Sequence, residues 1–323
     1  MLNEKALIYA EVNNGQVHSV FYELLTKTKT LTQGEVACVV LGTNLDAAIS
    51  ELTEAGVDKV YVLDNAKLEI YNPDLYAAAI EKVVSLYKPE IFFFGATSIG
   101  EELAPTMGLK LNTGVAAHCM DVRLNEDGSL AQLVPAFGGK VVGEIFTPNT
   151  TPKIISAKPG IFSSEKFESK NYVVEAIDAS VIDIKTAITP LEVQCNTQVG
   201  VDIEKADFVA CAGYGLPNKA DWDNLETLSG MLSGATGYTR PVIEFGFVDG
   251  ETNMIGTSGK SIKPKVYLGV GISGSTHHVC GMQNSGVIIA VNQDPKAEIF
   301  NSCDYKVVGD ADRIITALVE ELR

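Results

Sequence analysis

Apolar positions in the first ninety residues come in short runs, separated by segments of helical period. Ala6–Glu11, Val36–Leu41, Lys59–Leu63 and Glu90–Phe94 are rich in β-branched and aromatic residues and predict strands. The pattern between them predicts helices over about His18–Lys27, Asp46–Ala55 and Asp74–Leu86. Such alternation implies an α/β unit, a parallel sheet covered by helices. Past Ala116 the rhythm changes to strands separated by polar turns: MDVRL, AQLVPAF, KVVGEIF, KIISAK and YVVEAI. The turn Glu126–Gly128 suits a hairpin. Gly95–Gly100 (GATSIG) follows a strand as a phosphate loop would, and is read as a structural turn. A polar, weakly patterned stretch, Pro190–Ile203, then precedes the strand Phe208–Ala212. The domain boundary is placed there, giving 1–203 and 204–323. The second domain alternates again, with a Gly213–Gly215 turn, a helix over Trp222–Met231 and a last helix near Ala311–Leu322. That order predicts a doubly wound parallel sheet.

The densest segment is Val266–Asp294, VYLGVGISGSTHHVCGMQNSGVIIAVNQD. Its apolar run Val266–Val270 meets Gly269, Gly271 and Gly274 at G-x-G-x-x-G spacing. A helix start follows, then a second run, Val287–Val291, ending in Asn292 and Asp294. Strand, glycine turn, helix, strand and acid is the order of a dinucleotide site. The glycines let backbone N–H groups approach a pyrophosphate, and the acid lies within reach of a ribose. A glycine-rich turn without a ligand fits the spacing too. His277 and His278, inside the motif, are not what a plain NAD site needs.

Composition narrows the field. The chain has 323 residues, 46% hydrophobic, with mean hydropathy +0.13, enough for a large core in two domains. The net charge of −16, from 25 basic and 41 acidic residues, argues against nucleic acid and anionic membrane surfaces as partners. No apolar stretch reaches the roughly 18–20 residues that span a bilayer, and MLNEKALIYAEVNN reads as a strand rather than a signal or transit peptide. The six cysteines (Cys38, Cys119, Cys195, Cys211, Cys280, Cys303) lack C-x-x-C spacing. They read as reduced thiols of a cytoplasmic protein, with neither a metal site nor an iron–sulfur cluster.

GISGSTHHVCGM followed by VIIAVNQDPKAEIF resembles the C-terminal signature of the alpha subunit of electron-transferring flavoproteins, GISG-x-x-QH-x-x-GM and then N-x-D-P. The resemblance extends to Gly237–Arg240 (GYTR), Gly246–Val248 (GFV), Ile255–Lys260 (IGTSGK) and Asp304–Asp310 (DYKVVGD). It is looser in PAFGGKVVGEIF and AKPGIF. It implies a nucleotide-binding-like first domain without its own nucleotide, contacting a beta subunit, and a C-terminal domain that binds FAD and swivels as a unit about the Pro190–Ile203 stretch.

By resemblance, Gly271, Ile272, Ser273 and Gly274 anchor the pyrophosphate. Arg240 lies against the isoalloxazine with Thr239 beside it, and Ser258 meets N5. Thr257 stands where many members carry Gln, and is shorter. His278 donates to flavin O2, which favours the anionic one-electron state; Asn292 reaches the phosphate–ribityl region and Asp310 the adenosine end. Outside the motif, Arg240 would read as a surface arginine and His278 as a packed histidine. Asp294 reads as a turn former. Two departures stand out: Tyr214 replaces the arginine of the family's G-G-R-G turn, and His277 replaces its glutamine. The implied function is FAD-mediated electron transfer in a heterodimer with a beta subunit. One version oxidises NADH and bifurcates electrons between ferredoxin or flavodoxin and an enoyl-CoA reductase-type flavoenzyme. The other is a non-bifurcating carrier fed by acyl-CoA dehydrogenases. An NAD(P)-dependent oxidoreductase shares the glycine pattern, but no Tyr–Lys or His–Asp acid–base set accompanies it. A nucleotide-binding sensor without redox function is a further alternative, and a colourless purified heterodimer would favour it.

Overall fold

The computed structural model describes residues 2–136, 141–167, 172–193, 201–248, 250 and 252–323. These fall into two compact units that meet in sequence between 193 and 201. The expected swivel stretch Pro190–Ile203 lies in part, at 194–200, outside the described residues, as do Cys195 and the 137–140 portion of PAFGGKVVGEIF.

The first unit is built on strands β1 (Ala6–Ala10), β2 (Val36–Gly42), β3 (Lys59–Asp64) and β4 (Ile91–Gly95). The intervening helices are α1 (Val20–Leu31), α2 (Asp46–Glu54) and α3 (Pro73–Tyr87). Every residue of β1, β2 and β4 is buried, as strands covered on both faces must be. Alternation sorts them: Ala6, Ile8 and Ala10 pack on the side of α1 and α2, while Leu7 and Tyr9 pack on the side of α3.

A fourth helix, α4 (Ser98–Lys110), follows β4. It escapes the periodicity because Gly100, Pro105 and Gly108 interrupt it. The GATSIG turn is its N-cap: Thr97 Oγ1 accepts from Gly100 N at 3.1 Å and donates to the buried Glu11 carboxylate.

The five strand runs after Ala116 do not form one group. β5 (Val115–Ala116), β9 (Lys153–Ala157) and β10 (Val173–Ala176) join the parallel sheet, in the order β10-β3-β2-β1-β4-β9-β5. β6 (Asp121–Leu124), β7 (Leu130–Ala136) and β8 (Val141–Ile145) form a separate antiparallel sheet, with the expected hairpin at Glu126–Gly128.

One buried charge ties this unit together. Glu23 of α1 accepts from Gly160 N at 2.9 Å and Phe162 N at 3.2 Å, the AKPGIF segment. The second unit is a parallel sheet ordered β12-β11-β13-β14-β15. Its strands are β11 (Phe208–Ala212), β12 (Ala235–Tyr238), β13 (Val266–Val270), β14 (Val287–Asn292) and β15 (Tyr305–Val308). Helices α5 (Lys219–Met231) and α7 (Ala311–Glu321) cover one face. The short α6 (Thr276–Met282) and the segment around Ile255 and Ile262 cover the other. Among the described residues no helix is long and apolar enough to cross a membrane.

Replacing Glu23 by Ala leaves two amide donors without their anion. It should destabilise the first unit by about 1.5–3 kcal/mol, read as a lower urea midpoint at unchanged slope.

Candidate functional site

The turns after β11, β12, β13, β14 and β15 all leave the same edge of the second sheet, where doubly wound folds bind ligands. Two of these turns touch backbone to backbone. Gly213 N donates to Val270 O at 2.8 Å and Gly215 N to Gly271 O at 2.9 Å. A Cβ on Gly213 would lie 2.3 Å from Gly271 O. Gly274 has φ +95°, and a Cβ there would lie 2.0 Å from Ile299 N. The turn so fixed is braced by Asn292, whose Nδ2 donates to Ile272 O at 2.8 Å, and by Ile299 N donating to Ser273 O at 3.0 Å. Among the described residues, the N–H groups of Ile272, Ser273 and Gly274 have no acceptor in the chain. They are the free donors a pyrophosphate requires.

A cleft lies on each side of this turn. The larger, about 450 Å³, is lined by Thr239, Arg240, Ile255, Thr257, Ser258, His277 and His278 among others. The smaller, about 220 Å³, is lined by Gly215, Asp221, Gly271, Asn292 and Asp310 among others. The anticipated residues thus divide in two sets flanking Ile272–Gly274. Ile272 itself is buried, so only its backbone is available to a ligand.

Arg240 opens the short helical turn Arg240–Phe245, with Thr239 at its cap position. Thr239 N donates to Ala212 O at 2.9 Å, which sets the start of that turn against β11. The Arg240 side chain is exposed and makes no ion pair or hydrogen bond among the described residues. Among the described residues no carboxylate is paired with its charge. Thr257 and Ser258 sit on an irregular strap, Ile255–Ile262, held to α6. Thr257 N donates to His277 O at 2.8 Å and Ile262 N to Gly281 O at 2.8 Å.

His278 turns into the interior of the unit. It is buried, with Nδ1 3.0 Å from Ile255 O and Nε2 2.7 Å from the Tyr267 hydroxyl. A carbonyl only accepts, so Nδ1 carries the proton and Nε2 accepts from Tyr267. Burial, partly opposed by the Ile255 carbonyl, pulls its pKa from 6.5 to about 4. The imidazole is neutral and both nitrogens are engaged. The resemblance implies a donation from His278 to a flavin oxygen; among the described residues its two ring nitrogens meet Ile255 O and the Tyr267 hydroxyl.

Asn292 acts on the turn, and its Oδ1 also accepts from Asp294 N at 2.9 Å. Asp294 caps the following bend through Lys296 N. Asp310 stands at the cap position of α7, in the smaller cleft. Tyr214 is exposed, its ring centroid 5.2 Å from that of Phe245. Sequence reasoning missed Tyr267 as the partner of His278. Its place in an ordinary-looking strand gave no signal. Gly256, whose Cβ would lie 2.7 Å from His277 O, was legible only as part of IGTSGK.

The donor set fits a dinucleotide carrying a flavin: free N–H groups for phosphates, a cation with hydroxyls for a ring, and a carboxylate with an amide for a sugar. The second unit is therefore a dinucleotide-cofactor domain. Comparison with known proteins specifies the cofactor. The electron transfer flavoprotein domain matches residues 6–182, and the electron transfer flavoprotein FAD-binding domain matches 202–283. An electron transfer flavoprotein alpha subunit from Thermoanaerobacterium thermosaccharolyticum is 34% identical, covering 98% of this chain and 97% of its own. LctC, a subunit of the lactate dehydrogenase (NAD(+),ferredoxin) of Acetobacterium woodii, is 34% identical over 97% of this chain and 75% of its own. The acryloyl-CoA reductase electron transfer subunit beta of Anaerotignum propionicum is 30% identical over 98% and 95%. This chain belongs to the electron transfer flavoprotein alpha-subunit family, and it binds FAD.

Gly274→Ala puts a methyl group against the Ile299 backbone at a left-handed φ, and should abolish FAD retention; a colourless purified variant checks this. His278 generates a pH dependence. Below its ordinary 6.5 the unfolded chain binds a proton that the folded imidazole refuses until about 4. Its contribution is complete above that window and is lost as pH falls through it, on the order of 3 kcal/mol. Thermal unfolding from about pH 7 to pH 4.5 should show a shallower pH slope for His278→Asn than for the parent chain.

Proposed function

We propose that this chain is the FAD-bearing alpha subunit of a heterodimeric electron carrier, completed by a beta subunit, that passes electrons between a reduced donor and a flavoenzyme partner of the acyl-CoA dehydrogenase type. The observation that carries this reading is Arg240, which has no ion-pair partner among the described residues, in the larger cleft with the hydroxyl-bearing Thr239, Thr257 and Ser258. FAD, when bound, supplies the capacity to take up and release electrons singly or in pairs. The protein holds the phosphates on Ile272, Ser273 and Gly274 and the adenosine end near Asp310. Arg240 presents a fixed positive charge to the ring. In a site that excludes water, that charge favours the electron-rich state and raises the reduction potential.

Within this reading we favour the bifurcating version, with NADH oxidised at a second FAD held mainly by the beta subunit and ferredoxin or flavodoxin as one acceptor. Its support is the relative whose printed name couples NAD(+) and ferredoxin. The non-bifurcating carrier is the second reading, compatible with relatives named simply as electron transfer flavoprotein alpha subunits. An anaerobic NADH titration of the heterodimer, followed by absorption, separates them. Bleaching of two flavins per heterodimer supports bifurcation. One flavin that ignores NADH but accepts electrons from an acyl-CoA dehydrogenase supports the simple carrier. A heterodimer that retains no flavin overturns both.

Arg240→Ala should lower the flavin midpoint potential, measured by equilibrium titration against a reference dye. An unchanged potential would remove Arg240 from the site.

A further inference from the structure

The turn Ile272–Gly274 is held in place by a segment that lines neither cleft's ring end nor the sheet. Ile299 is buried, and its N–H donates to Ser273 O at 3.0 Å. A Cβ on Gly274 would lie 2.0 Å from the same Ile299 nitrogen. Where the turn sits therefore depends on where Ile299 sits. The chain that carries it begins as a bend, with Asp294 N on Asn292 Oδ1, Lys296 N on Asp294 Oδ1 and Ala297 N on Asp294 O. It ends in the short helical turn Glu298–Ser302. Apart from the Asn292 contact at the start, the bonds of the bend join near neighbours.

Lys306 adds a tie from the sheet edge. It lies on β15, in register with Ala290 of β14. Its neighbour Val307 packs on the side of α5 and α7. Alternation turns Lys306 to the opposite face, where Ala297, Ile299 and Phe300 pack. From there Nζ donates to Pro295 O at 2.6 Å, in the bend, and stands 4.5 Å from the ring centroid of Phe300, in the helical turn. One side chain thus reaches both halves of the segment, through a charge-assisted hydrogen bond and a cation–π contact. Ile299 lies between the two points it grips.

We propose that Lys306 is a positioning residue for the phosphates of FAD: by bridging Pro295 and Phe300 it holds Ile299 against the Ile272–Gly274 turn. This rests on that turn being the phosphate seat. Lys306 acts through Ile299 N and Ser273 O, so it sets how well the free N–H groups are aimed and does not itself meet the cofactor. Neither Lys306 nor the two residues it bridges line the larger cleft. Its effect is therefore on the grip on the diphosphate, and the oxidised and reduced forms of the ring feel it alike.

The test titrates the flavin-free heterodimer with FAD, alone and against ADP as a competitor carrying a diphosphate, and reads the binding phase that Gly274→Ala abolishes. Lys306→Met keeps the aliphatic stem and removes the ammonium. It should weaken both FAD and ADP by about five- to tenfold and leave the flavin midpoint potential in place. Lys306→Arg should restore most of both affinities, because a guanidinium still donates to a carbonyl and stacks on a ring. The assignment is overturned if Lys306→Met binds FAD as the parent does, if it weakens FAD without weakening ADP, if the potential moves with the affinity, or if Lys306→Arg is no better than Lys306→Met. A parent in which ADP does not compete with FAD, or a Gly274→Ala heterodimer that loses no phase, would instead overturn the phosphate seat, and this assignment with it.

Discussion

The site depends on a contact between two turns that meet at glycines, where neither has a side chain. Gly213 and Gly215, at the end of β11, lie against Gly271 at the end of β13, and the Gly213–Val270 and Gly215–Gly271 hydrogen bonds hold them there. β11 and β13 are neighbours in the sheet, paired from Phe208 with Val266 to Ala212 with Val270. The turns inherit that register, so the floor between the two clefts is as rigid as the sheet. Side chains at these positions would push the turns apart and take the phosphate donors with them. Adaptability is confined to what the floor carries: Arg240 on one flank, the strap on another, and Asp310 across the turn.

The strap shows how an irregular segment can be well placed. Ile255–Ile262 has no regular secondary structure, yet four of its polar groups are met by α6. The packing beneath it is polar as well as apolar. Tyr267, wholly buried in β13, bonds to His278, and the Cys211 thiol beside it is pushed up to about 12 by burial, with the Tyr267 hydrogen bond opposing. None of these three groups ionises near neutrality, so the layer under the ring site contributes dipoles and no net charge. The cation facing the cleft acts against a neutral background.

Much of this was legible in the sequence, for identifiable reasons. Central strands such as Val36–Gly42 announce themselves because both faces are covered and every residue is apolar or small. The glycine turn and the strands around it could be read because close backbone approach admits one residue type. Helix α4 could not, since Pro105 and two glycines break its pattern while packing within the unit holds it helical. The grouping of the later strands was also hidden. Lys153–Ala157 and Asp121–Leu124 both read as short strands, and only tertiary pairing sends one into the parallel sheet and the other into a hairpin. The direction of two consecutive histidines is hidden for the same reason: it is set by Tyr267 and Ile255, distant in sequence from each other and silent in any local pattern.

The Glu23 carboxylate gives the first unit a schedule. Its acceptors are matched by amides 137 and 139 residues further along, and β9 inserts between β4 and the short β5 only once residues 153–157 exist. A nascent chain that has delivered β1 to β4 therefore holds four strands, two open sheet edges (β3, later covered by β10, and β4, later covered by β9) and a carboxylate with no amides to receive. At ordinary synthesis rates of about 5–20 residues per second, that interval lasts several seconds. Over that time both edges are open to mispairing, and that of β3 stays open longer, until residues 173–176 have been made.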